Sequence, residues 1–169
     1  MLAECNKYAS IIKFALPTIA IIAMLQIAPN FANVDIQLGD KQSWANIFSA
    51  LSTGGIAFAF TGFQNGLVLA GEVKNPQRNI PIAILGAVLI GFVLYFMLQL
   101  SFIAAVPQQY LSNGWHALSY PGDNGPLVGL TLLLGLGTVA TLLMIDAAFS
   151  PWGTALVYTA ATSRILYGM

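Results

Sequence analysis

Apolar positions in this chain run in long blocks, with neither the one-sided helical stripe nor the alternation that a soluble helix or strand shows. The six Lys and Arg and six Asp and Glu fall far apart, leaving uncharged stretches of 21 residues (14–34), 30 (42–71), 44 (79–122), 22 (124–145) and 17 (147–163). A bilayer-spanning helix needs about 20 mostly apolar residues. The pattern predicts four spans, at about 8–27, 44–71, 80–106 and 138–167. Pro29, Asn30 and Asn33 mark the end of the first, and Pro107 the end of the third. The second holds Gly54, Gly55, Gly62, Gly66 and Gly71, with Thr53, Thr61, Gln64 and Asn65 among them. It is the least regular of the four.

Residues 107–125 read as a polar loop with turn signals at Asn113-Gly114, Pro121-Gly122 and Asn124-Gly125. The stretch after it is too long for one span. Either 126–136 forms a short surface helix jointed at Gly135 and Gly137, or a single span begins near Leu127 and breaks at Pro151.

Composition narrows the functional classes. The 169 residues are 57% hydrophobic and 7% charged, against roughly 25% charged in a soluble domain. An integral membrane protein is expected, all α-helical. Zero formal net charge leaves no basic footprint for nucleic acid. A single Cys5 and a single His116 leave no thiol or imidazole cluster for a metal site, and no nucleophile–base pair suggests catalysis. No cofactor is expected.

Counting Lys and Arg sets the orientation, because positive residues near span ends stay cytoplasmic. With four crossings, Lys7, Lys13, Lys74, Arg78 and Arg164 share one side and Lys41 stands alone on the other. Both ends are therefore expected in the cytoplasm, with His116 outside. The turn Gly71-Glu72-Val73-Lys74-Asn75-Pro76-Gln77-Arg78-Asn79-Ile80-Pro81 has a plain structural account. Pro76 stops the preceding helix, Asn79 caps the next, and Pro81 fits its first turn.

The same turn carries a resemblance. Gly62-Phe63-Gln64-Asn65 followed by Ala70 to Pro81 resembles the sixth-to-seventh helix region of amino acid permeases of the amino acid–polyamine–organocation superfamily. Ser150-Pro151-Trp152-Gly153-Thr154 and the run Ala161 to Met169 resemble their eighth helix. The resemblance implies a fold of two inverted five-helix repeats, of which this chain holds helices five to eight. The chain is then a fragment of a larger permease, partnered in the bilayer by the missing helices. It implies secondary active transport of amino acids by alternating access, proton-linked, in the cell membrane. The rival reading is a truncated or accessory four-helix protein that interacts and does not transport.

Site expectations follow. Clustered glycine weakens a helix by roughly 1 kcal/mol each relative to alanine, so backbone near Gly62 could turn toward a ligand; alternatively, Gly62 and Gly66 allow close helix packing. The resemblance places Phe58 as a gating aromatic and Thr61, Gly62, Gln64 and Asn65 around the substrate. Gln64 stands where some relatives carry a proton-sensing glutamate, and an amide does not titrate. Charges within spans are costly, about 2.5–3.5 kcal/mol at the bilayer centre, which singles out Lys13 and Asp146. Lys13 can be a snorkelling anchor. The resemblance instead implies that its ammonium fills the place of a sodium ion and bonds Ser150, linking proton movement to helix tilting. Asp146, one turn before Ser150, is either a coupling residue or a hydrated interfacial one.

Overall fold

The computed structural model describes residues 2–27, 29–34, 41–62, 64–68, 70–112, 114–115, 118–120 and 125–168. Among them the structure is helical, without a strand. Six α-helices follow in order: α1 (Leu2–Ile27), α2 (Lys41–Ser52), α3 (Gln64–Val68), α4 (Pro76–Ala105), α5 (Pro126–Leu133) and α6 (Gly137–Gly168), with short 3-10 turns at Phe31–Asn33, Ala57–Phe60, Ala70–Glu72 and Gln108–Tyr110. Lys7–Ile27, Pro76–Ala105 and Gly137–Gly168 are long and apolar enough to cross a membrane. The chain is an integral membrane protein by that measure. The 44–71 region departs from one continuous span. Its helix stops at Ser52 and resumes only at Gln64, for reasons that the glycines supply below.

α4 begins at Pro76, earlier than expected. Proline lacks the N–H that a first-turn residue would leave unsatisfied, and its fixed φ suits that position. Pro76 therefore opens this helix as well as closing off the preceding turn, and Pro81 lies inside it. Asn79 does not cap from outside; its side-chain amide folds back and donates to Lys74 O. Asn75 takes the left-handed turn at φ 50° that leads in.

The segment after residue 125 divides after Leu133. Gly135 adopts φ 74°, a conformation that carries little penalty only for glycine. α6 then runs 32 residues, about 48 Å at 1.5 Å per residue, so it exceeds the roughly 30 Å hydrocarbon core.

Two compact units make up the chain, residues 1–34 with 94–155, and residues 35–93 with 156–169. The first holds the better-packed core: Ala20, Met24, Ala105, Val106, Val128, Leu130, Val139, Ala140 and Leu143 form one buried cluster. Small residues from α1, α4 and α6 let these helices approach closely, the packing route available where lipid competes equally for apolar surface. The end of α4 is satisfied from outside the helix. Asn33 Nδ2 donates to Ile103 O at 3.1 Å and to Val106 O at 2.8 Å, and Asn30 N donates to Ala104 O at 2.9 Å. The last carbonyls of a helix lack intrahelical donors, so the Asn30–Asn33 turn that ends α1 also closes α4.

In the second unit α4 shows a bare apolar surface. Ile82, Leu85 and Leu89 are 61%, 70% and 64% exposed. Lipid or further helices suit such a face, and water does not.

The loop residue Tyr120 packs over α5. A side-chain carbon on Gly129 would stand 2.5 Å from Tyr120 Cβ, so only glycine accommodates the ring. Phe102 meets it edge-on at a centroid distance of 6.3 Å. The buried Tyr120 Oη has no hydrogen-bond partner among the described residues, and burial raises its phenol from an ordinary 10.0 to about 12. A phenol with a raised folded value contributes its full stability below pH about 10 and loses it as pH climbs from there toward 12. Deleting an unpaired buried hydroxyl removes a desolvation cost. Tyr120→Phe is expected to stabilise the protein by about 1 kcal/mol and to abolish that alkaline loss, both measured as thermal unfolding in detergent across pH. A lower melting temperature for Tyr120→Phe would show that the hydroxyl is bonded in the intact protein.

Candidate functional site

The residues expected to serve the site fall in both units, and each group is described in its own unit. Phe58, Thr61, Gly62, Gln64 and Asn65 belong to the second; Lys13, Asp146 and Ser150 belong to the first.

In the second unit the chain turns out of α2 through Thr53, Gly54 and Gly55. Thr53 N and Gly54 N both donate to Ser49 O, at 2.7 and 3.3 Å, and Ser52 Oγ donates to Phe48 O at 2.9 Å. Gly55 is left-handed at φ 78° and Gly62 at φ 103°. Between them lies a tight 3-10 turn, Ala57–Phe60. Thr61 closes it, donating from both N (3.1 Å) and Oγ1 (2.7 Å) to Phe58 O. This fixes the Phe58 backbone while its ring remains 73% exposed.

The glycines can now be told apart. Among the described residues a side-chain carbon on Gly62 would meet nothing within 4 Å, so its need for glycine is conformational, whereas one on Gly66 would rest 3.8 Å from Ile84 Cγ1. Gly66 is the packing glycine and Gly62 the turning one. Gln64 and Asn65 open α3, and their side chains lie outside the described residues. His116 and Asn113 also lie outside them.

A helix that stops and restarts offers carbonyls at one break and N–H groups at the other, the complement of a zwitterion's ammonium and carboxylate. Such backbone survives at membrane depth only where protein covers it or a cavity receives it.

In the first unit Lys13 is half-buried on α1, and its Nζ donates to Thr154 Oγ1 on α6 at 3.4 Å, a long hydrogen bond. The expected acceptor was Ser150. The amine bonds instead the hydroxyl one turn further along the same face. Ser150 and Asp146 lie half-buried one and two turns before Thr154. Thr154 is therefore the residue the sequence reading missed. Its signal was there: hydroxyls at 150 and 154 share a helix face, and Gly153 between them leaves space beside it. Pro17 adds a further feature. It lacks the N–H that would bond Lys13 O four residues earlier, so Lys13 stands where α1 is weakened.

The amino acid permease family model matches residues 2–169. The chain belongs to the amino acid permease family. Among curated proteins it is 37% identical over 170 residues to the glutamate/serine transporter AimA of Bacillus subtilis, covering all of this chain and 31% of that protein. It is likewise 37% identical over 166 residues to the aspartate-proton symporter of the same organism, covering 98% of this chain and 31% of that one. The chloroplastic cationic amino acid transporter 9 of Arabidopsis thaliana is 31% identical over 136 residues, 77% of this chain and 22% of the relative. No solved structure matches significantly. The chain thus spans about a third of the length of the two Bacillus permeases.

Proposed function

We propose that the complete permease of which this chain forms part carries amino acids across the cell membrane by secondary active transport with alternating access, linked to protons. The observation that carries this reading is the interruption between Ser52 and Gln64 in a chain of the amino acid permease family. Phe58, Thr61, Gly62, Gln64 and Asn65 contact the amino acid, while Lys13, Ser150 and Asp146, joined by Thr154, couple transport to the driving ion. The names of two relatives, a glutamate/serine transporter and an aspartate-proton symporter, support small neutral or acidic amino acids as substrates and the proton as driver. Gln64 directs the coupling role away from its own position, since an amide takes up no proton.

Proteoliposomes holding the complete permease test this reading. Labelled glutamate, aspartate and serine are offered with an inwardly directed proton gradient. Accumulation above the external concentration, collapsed by a protonophore, is expected for at least one of them. Saturable binding without accumulation would count against transport.

The four crossings of the chain, with both of its ends in the cytoplasm, belong to the same proposal. They rest on the five-to-one distribution of Lys and Arg. Cysteines placed at Gln77 and Asn113 should react with a membrane-impermeant maleimide from opposite sides of intact cells, Asn113→Cys from outside and Gln77→Cys only after permeabilisation. Reaction of both from outside would remove the four-crossing arrangement.

A further inference from the structure

Gly153 adjoins the amine of Lys13. A side-chain carbon at Gly153 would lie 3.4 Å from Lys13 Nζ, 3.7 Å from its Cε and 4.0 Å from Ala9 Cβ. These are ordinary contact distances, so no clash demands glycine here. Nor does the backbone, which continues α6 without a left-handed turn. Glycine inside a helix costs roughly 1 kcal/mol relative to alanine, and among the described residues neither packing nor conformation offsets that cost at this position.

A methyl group at 153 would alter the surroundings of the ammonium. Lys13 has three N–H donors, and Thr154 Oγ1 accepts from one of them. Ala9, one turn before Lys13 on α1, lies 4.0 Å from the same would-be carbon, so a methyl there would join that of Ala9 in an apolar patch next to the amine. A methyl 3.4 Å from Nζ would occupy the side of the amine that faces Gly153, where a further acceptor, a carbonyl, carboxylate or water, could otherwise stand. We propose that Gly153 is a positioning residue that keeps one side of the Lys13 ammonium open to a second hydrogen-bond acceptor while the helices move. This rests on the coupling role proposed for Lys13.

The test compares residues of graded size and polarity in the complete permease. Blocking one hydrogen-bond direction of a charged donor reduces the maximal uptake rate about tenfold in Gly153→Ala, with the KM for amino acid unchanged. Gly153→Ser is bulkier than Gly153→Ala, but its hydroxyl accepts from the amine, so it restores the rate to within about twofold of wild type. In a Lys13→Ala background the two substitutions become equivalent. A packing role ranks by size and makes Gly153→Ser no better than Gly153→Ala; that result, with Lys13→Ala itself impaired, overturns this inference alone. Wild-type uptake by Lys13→Ala overturns the coupling reading and this inference with it.

Discussion

Lys13→Arg is expected to lower amino acid uptake by the complete permease about tenfold or more, and Lys13→Ala by at least as much. A snorkelling anchor needs only an aliphatic stem and a charge, and arginine supplies both. The place of Lys13 is more exacting. Its compact ammonium reaches Thr154 Oγ1 at 3.4 Å and stands 3.4 Å from where a side-chain carbon on Gly153 would lie. A planar guanidinium is wider, carries its donors in a fixed fork and is effectively never deprotonated. It therefore does not reproduce the single compact donor that meets Thr154 on α6. Lys13→Ala leaves Thr154 Oγ1 on α6 without its donor. Uptake into proteoliposomes at matched protein content measures all three, and near-normal uptake by Lys13→Arg would return the residue to the anchor role.

The second large effect concerns Gly62. At φ 103° it holds a backbone conformation that L-residues avoid, and a side chain there costs on the order of 1–3 kcal/mol even where space is open. The open surroundings matter for the interpretation. With nothing among the described residues within 4 Å of a would-be side-chain carbon, Gly62→Ala meets no clash with them, so the expected loss comes from the turn itself. The strain is relieved by letting the backbone rotate, which moves Thr61 and the exposed Phe58 ring. Uptake is expected to fall on the order of tenfold in Gly62→Ala and further in Gly62→Val, because a β-branched residue tolerates positive φ least. Gly66→Ala is the matched control. Its added carbon, on α3, would sit 3.8 Å from Ile84 Cγ1 of α4, and alanine favours helix, so uptake should stay within about twofold of wild type. Equal losses at the two positions would mean that both glycines serve packing.

These residues also show how much of the molecule was legible in the sequence. The uncharged stretches revealed α1, α4 and α6 because length and hydropathy alone decide a membrane helix. The glycines at 54, 55 and 62 announced a weak place, yet the sequence left open whether it was a packing seam or a turn. That depends on φ and on what lies within 4 Å, which only coordinates supply. The start of α4 was misplaced because Pro76 has two local meanings, an end to one helix and a first-turn residue of the next. Lys13 was visible as a charge inside a span. Its acceptor was not, since Ser150 and Thr154 share a face and the reach of a flexible side chain chooses between them. Gly129 beneath Tyr120 left no trace in the local pattern, being a contact between a loop and a helix.

If the interruption between Ser52 and Gln64 receives the amino acid, as proposed, bound substrate shields it from small reagents. Alkylation of a cysteine at Phe58, in a complete permease made otherwise free of cysteine, tests it most directly. Phe58 is exposed at the turn and its backbone is held by Thr61, so Phe58→Cys should react readily with a small maleimide. A transported amino acid is expected to slow this reaction in a saturable way, with half-protection near the concentration that half-saturates uptake, while a non-transported amino acid has no effect. Equal alkylation rates with and without a saturating transported amino acid would contradict it.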